Sequence, residues 1–228
     1  MTVQNAGGGK PRGRPRGFDP DAALDRAMDA FWDAGFAGTS LDALGAATGL
    51  NRPSLYLAFG DKRALYRAAM RRYSEGTLAA LEKLLARRPL RAALERAFAR
   101  TIAFYLSGEK AARGCFLVGT ALAEAVNDAE VRDALLSDLH GADRILEARF
   151  AAAREEGDLP AGAPADDAAL AGLASSVMHG FAVRARAGAP AAEMEAIAAA
   201  AVDLLCGPAP SEADQIAGAS SVSKRSPP

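Results

Sequence analysis

Apolar residues along this chain recur at alternating spacings of three and four, the mark of amphipathic helices, and no stretch alternates with the period of two that marks a half-buried strand. Leu24, Ala27, Met28 and Phe31 fall on one face of a first helix, with Asp19 as its cap, Pro20 at its first position and Gly35 at its end. A second, short helix starts at Thr39 and Ser40, either of which can cap it, and turns Leu41, Leu44 and Ala47 inward. Gly49 is the turn that follows. Asn51 caps a third helix that carries Pro53 in its first turn and Leu55 and Phe59 on its inner side. Gly60 and Asp61 break and re-cap the chain. A fourth helix is expected from about Lys62 to Arg87, with Tyr66, Met70, Tyr73, Thr77, Leu81 and Leu84 inward, and Pro89 closes it.

Five further segments read as helices. They span about Leu90 to Ser107, Cys115 to Val126, Ala129 to Glu156, Asp166 to Ala187 and Ala191 to Cys206, with Gly157 to Pro164 as a loop. The fold class is therefore all-α, about nine helices: an N-terminal helix-turn-helix domain and a C-terminal helical domain. The organisation predicted is a flexible basic arm over 1–17, a compact unit over 18–66, a larger helical unit over 67–207 and a disordered Ser/Pro/Ala-rich tail over 208–228.

Charge changes the picture more than composition does. The net charge of −1 hides an asymmetry: residues 1–72 hold eleven Lys/Arg against seven Asp, whereas the remaining residues hold sixteen against twenty-one acids. A positive front end on an acidic body points to a polyanion partner for one end. No apolar run is long enough for a membrane span, the longest, Ala196 to Val202, being stopped by Asp203. Lys10, Arg12, Arg14 and Arg16 have no apolar stretch behind them, so they do not read as a secretory signal. Two cysteines, Cys115 and Cys206, make no disulfide framework, and a cytoplasmic location is the simplest reading.

Three short helices in a row, with a glycine at the sharp turn between the second and third, have the sequence form of a helix-turn-helix. The third helix must keep one face apolar and leave the other small, polar or basic to enter a major groove. Leu55 and Phe59 fill the first role, and Arg52, Ser54, Tyr56, Leu57 and Ala58 are left for the second. The stretch Phe31 to Tyr66 strongly resembles the DNA-binding domain of the TetR family of regulators. The agreement runs through Gly38-Thr39-Ser40, Thr48-Gly49-Leu50, Ser54-Leu55-Tyr56 and Phe59-Gly60-Asp61-Lys62. The resemblance implies double-stranded operator DNA as partner. Thr39 and Ser40 would touch phosphate through hydroxyl or backbone N–H, Arg52 and Ser54 would face base edges, Pro53 would pack by the backbone or a thymine methyl, and Tyr56 and Lys62 would hold phosphate. Leu57 and Ala58 stand where many members carry larger polar or aromatic groups, so base reading is thin. Arg14 and Arg16, in Gly13-Arg14-Pro15-Arg16, look like an AT-hook core suited to a narrow minor groove.

The resemblance further implies a homodimer, a small-molecule effector and repression as the regulatory sense. The sequence supplies two apolar stripes for a symmetric interface, Leu170, Leu173 and Val177 on one helix and Ile197, Ala201 and Leu204 on the next. Phe98, Ile102, Tyr105, Phe116, Met178 and Phe181 are placed either to line an effector pocket or to fill the core, core being the better reading for any single one. Cys115, just inside a predicted helix start and near Arg113, reads by default as a buried structural cysteine; the alternative is a sensing thiol whose pKa the helix start and Arg113 would lower. Its Gly-Cys-Phe/Leu segment resembles one found in members that respond to electrophiles or small unsaturated acids. His140 and His179 are too few and too far apart for a metal site. No oriented triad, phosphate loop or metal spacing points to an enzyme, and no cofactor is called for.

Overall fold

A computed structural model describes residues 18–108, 111–159, 163 and 166–207. Every regular element among them is a helix: α1 (Pro20–Gly38), α2 (Leu41–Thr48), α3 (Arg52–Phe59), α4 (Lys62–Leu85), α5 (Leu90–Leu106), α6 (Phe116–Glu124), α7 (Ala129–Glu156), α8 (Asp167–Arg186) and α9 (Ala191–Cys206). Side chains fix the starts of the first four by accepting the backbone N–H groups left over in a first turn. Asp19 takes the N–H of Asp21 at 3.0 Å, Ser40 that of Ala43 at 3.0 Å, Asn51 that of Ser54 at 2.9 Å and Asp61 that of Ala64 at 2.7 Å. Gly49 closes α2 in the left-handed region, at φ 72° and ψ 15°, which lets α3 leave at a sharp angle.

The largest departure from the expected boundaries is in α1. Gly35, expected to end it, sits at φ 72° and ψ 173° as a kink, and helical backbone resumes as far as Gly38. That extra piece carries Phe36, whose ring packs against Phe31 and Tyr66.

Helices α1 to α3 close around Phe31, Leu44 and Leu55, with Tyr66 of α4 beneath them. Burying side chains of this size stabilises by roughly 1.5–3 kcal/mol each. Helix α4 then passes into the second bundle, where α5 packs on α8 and α9 and α7 packs on α8. Polar ties bind the bundles together. Arg72 of α4 donates to Asp25 of α1 at 3.0 Å, Tyr66 of α4 bonds Thr120 of α6 at 2.7 Å, and Arg63 of α4 pairs with Asp128, the cap of α7. Gly114 lets the start of α6 lie against α8: at φ 65°, a Cβ there would meet the Ala182 carbonyl oxygen at 2.8 Å. Among the described residues no helix is long and apolar enough to cross a membrane.

Candidate nucleic-acid interface and cavity

The outer surface of the helix-turn-helix is made by the N-terminal turns of α2 and α3 and the face of α3 opposite Leu55. Ser40 and Pro53 are exposed and Ser54 is half-buried. Tyr56 is about half exposed, and Leu57 is 87% exposed. Arg52 reaches across from α3 to α2, where its Nε and Nη2 donate to Asp42 Oδ1 at 3.1 and 2.8 Å and Nη2 also reaches Oδ2 at 2.9 Å. Lys62, at the first position of α4, holds its ammonium 4.4 Å from the centre of the Phe36 ring. Thr39 departs from expectation. It is 1% exposed, and its hydroxyl donates inward to the Gly35 carbonyl at 2.6 Å and the Ala30 carbonyl at 3.2 Å. The kink at Gly35 creates that acceptor, and the hydroxyl is thereby turned away from the surface. Arg14 and Arg16 lie outside the described residues.

A cavity of about 440 Å³ lies beneath this unit. Its walls come from five helices and the α5–α6 connection: Met28 and Trp32 of α1, Tyr73, Leu81 and Leu84 of α4, Phe104 and Tyr105 of α5, Asp138 of α7, and Met178 and His179 of α8, together with Cys115. Tyr105, Cys115 and Met178 were expected there. Phe98, Ile102, Phe116 and Phe181 are instead fully or almost fully buried and do not line it. Phe98 and Phe181 pack edge to face at 5.7 Å between α5 and α8, and Phe116 packs on Trp32, Tyr66 and Tyr73.

The polar groups of the cavity have unusual protonation preferences. Burial pushes the Cys115 thiol up, which the hydroxyl of Tyr73, donating to Sγ at 3.3 Å, only partly offsets. This fits the structural reading of Cys115 and not the sensing alternative, in which Arg113 would lower the thiol pKa. The Arg113 guanidinium turns away, sitting 4.2 Å over the Trp32 ring and donating to Asp29 at 2.8 Å. Tyr73 and Tyr105 are held well above the ordinary phenol range by burial and by the neighbouring thiol. Asp138 is raised by burial, although Ser74 donates to its carboxylate and His179 lies nearby. His179 is lowered by burial and has no hydrogen bond among the described residues. His140 is exposed, and no group of side chains among the described residues is arranged to hold a metal ion.

Of the two stripes expected to form an interface, Leu173 and Leu204 are exposed, at 50% and 79%, and Val177 and Ile197 are half-buried. Leu170 and Ala201 are corrections. Both are already buried within the chain's own bundle, because α8 packs on α5 and α7 and α9 packs on α5 and α8. Val183, exposed on α8, is an apolar surface residue the sequence reading missed.

Residues 23–69 match the family model for bacterial regulatory proteins of the tetR family. The transcriptional repressor ComR of Escherichia coli (strain K12) is 32% identical over 191 residues, 83% of this chain and 90% of that protein. This chain is a member of the TetR family. The solved structure of the TetR family regulator CifR, a cysteine mutant complexed with 26-bp double-strand operator DNA, is 34% identical with a TM-score of 0.72. The match covers 83% of this chain and 98% of that one. NemR of Escherichia coli in its reduced form shares the fold, at 20% identity and a TM-score of 0.74, over 83% of this chain and 98% of its own. The helix-turn-helix described above is thus the DNA-binding element of a TetR-family transcriptional regulator. Trp32, Tyr73, Asp138 and His179 are among the cavity residues that sequence reasoning missed. They are far apart in the chain, and no local pattern connects them.

Proposed function

We propose that the chain is a repressor that binds a pseudo-palindromic operator as a homodimer and releases it when a small molecule fills the cavity. The observation that carries this reading is the sharing of one wall: Met28 and Trp32 belong to α1 of the reader, yet they line a cavity otherwise built from the second bundle. A ligand there acts on the reader directly. The domain division follows, with residues 18–66 as reader, 67–207 as sensor and dimer-forming unit, and 1–17 and 208–228 as arm and tail.

Ser40, Arg52, Pro53, Ser54, Tyr56 and Lys62 face the DNA, and Arg14 and Arg16 enter the flanking minor groove. The likeness to a relative held on 26-bp operator DNA supports this docking. Leu173, Val177, Ile197 and Leu204 meet their copies across a two-fold axis. That axis places two readers about one helical turn, roughly 34 Å, apart. Ligand binding favours a dimer with another separation, and a differential affinity of about 3 kcal/mol between the two states shifts the population more than a hundredfold. The effector is a small molecule or an electrophile that enters the cavity lined by Cys115, and burial, which raises the thiol pKa, favours non-covalent binding.

The test is a selection of tight-binding duplexes from a randomised pool, followed by a thermal-shift screen of small molecules. Expected are an inverted-repeat site bound by two chains, and at least one compound that both raises the melting temperature and releases the duplex. Failure to enrich any duplex overturns the operator reading. Compounds that stabilise the protein but leave the DNA bound overturn the coupling.

A further inference from the structure

We infer that Asp42 is a positioning residue for base recognition, holding Arg52 so that its outer edge presents two parallel donors to one guanine in each half-site. The inference rests on the operator reading above and deepens it.

Both residues stand in the first turn of a helix, Asp42 in α2 and Arg52 at the first position of α3, and both are exposed, as are Pro53, Tyr56 and Leu57 of α3. Asp42 is exposed, as is Arg52, and the two meet edge-on. A guanidinium has five N–H donors in a planar fork. Asp42 occupies the side edge of that fork, taking Nε–H at 3.1 Å and one Nη2–H at 2.8 Å to Oδ1 and 2.9 Å to Oδ2. The edge formed by Nη1–H and the second Nη2–H has no partner among the described residues. That pair matches the O6 and N7 acceptors of guanine in the major groove, the commonest specific arginine contact.

Charge makes the same point from the other side. A carboxylate on a DNA-facing helix end is repelled by phosphate and raises the cost of docking. An arginine clamped to it cancels the charge locally and gives the acid a reason to be there. The clamp also restricts a long, rotamer-rich side chain before binding, so less conformational entropy remains to be lost when the contact forms. Arg52 thereby reads one base pair firmly although Leu57 and Ala58, next on the same helix, bring no polar groups to the groove.

The experiment uses the full chain. Duplexes are selected from a randomised pool by the parent protein, Asp42→Ala, Asp42→Asn and Arg52→Ala, and affinities are then measured for the selected site, for single-base variants and for 7-deazaguanine at the candidate position. Circular dichroism confirms that the variants fold, as exposed substitutions should. The expected result is a guanine in each half-site whose replacement weakens the parent roughly tenfold or more. Arg52→Ala loses that discrimination, Asp42→Ala loses most of it, and a protein carrying both Asp42→Ala and Arg52→Ala loses no more than Arg52→Ala alone. Binding to unrelated duplex is unchanged or tighter in Asp42→Ala, because a negative charge has gone. Full discrimination in both Asp42 variants overturns the positioning role, and so does parent selection of a site in which Arg52→Ala alters no guanine preference. Failure of the parent to enrich any duplex overturns the operator reading instead.

Discussion

The ring of Trp32 lies under the guanidinium of Arg113 at 4.2 Å, while its indole N–H donates to the Arg113 backbone carbonyl at 3.1 Å. One residue of the reader is thus held twice by the segment that leads into α6, and the same ring forms a wall of the cavity. The chain contains a single tryptophan, so its fluorescence reports on this place alone. A molecule that enters the cavity should change the Trp32 emission with the same midpoint at which it releases DNA. Release with no change in emission would show that the effector acts elsewhere. Arg113→Ala should lower stability by about 1 kcal/mol through loss of the cation–π contact. It should also weaken the effector's influence on DNA affinity, measured by anisotropy with and without ligand.

Within α3, two leucines two residues apart should behave in opposite ways. Leu55 is 3% exposed and closes the core of the reader, whereas Leu57 is 87% exposed. Leu55→Ala should cost about 2–5 kcal/mol, seen as a lower midpoint in urea. Leu57→Ala should leave that midpoint within about 0.5 kcal/mol of the parent's. Its effect should appear in DNA affinity, through a lost apolar contact in the groove.

How far the sequence foretold this molecule depends on how local the signal was. Caps and turns act over three or four residues, so Asp19, Ser40, Asn51 and Asp61 announced their helices, and α7 and α9 begin and end where their periodicity says. Gly49 was legible for the same reason. Thr39 misled because its role depends on a kink at Gly35 that creates an inward acceptor for its hydroxyl. Of the two readings open for Cys115, the buried structural one holds, because Arg113, two residues away, is drawn off to Asp29 and Trp32, leaving burial to decide the thiol. The cavity was least legible. Phe98 and Phe181 could by sequence have served pocket or core, and they find each other in the core, while Asp138 and His179 reach the cavity only because α7 and α8 pack side by side.

Cys115 should accordingly react slowly with a maleimide at neutral pH, far more slowly than in the urea-unfolded chain. Its rate should climb only above the ordinary thiol range, because burial favours the protonated form. Cys115→Ser should keep both DNA binding and ligand release. Fast modification at neutral pH, with loss of release in the serine variant, would restore a sensing role for the thiol.

Asp138 and His179 set opposite pH dependences. Burial raises the folded-state pKa of Asp138, so its ionisation opposes folding, and the penalty disappears as pH falls below the ordinary carboxyl range. Asp138→Asn should therefore melt higher than the parent at neutral pH and match it in strong acid. Burial lowers the folded-state pKa of His179, so folding favours the neutral ring. The stability it contributes is full well above about pH 6.5 and declines as pH falls through that value. His179→Gln should flatten this decline in a series of melting curves. An unchanged slope in the variant would place the titrating group elsewhere.

The central claim is that two copies of this chain hold one operator through paired readers. A hydroxyl-radical footprint of the full chain on its selected duplex tests it most directly. Two protected patches on one face of the helix, centred about one turn or roughly 10 base pairs apart, with two chains bound per duplex, are the predicted result. A single patch bound by one chain, or uniform protection without a preferred sequence, would contradict it.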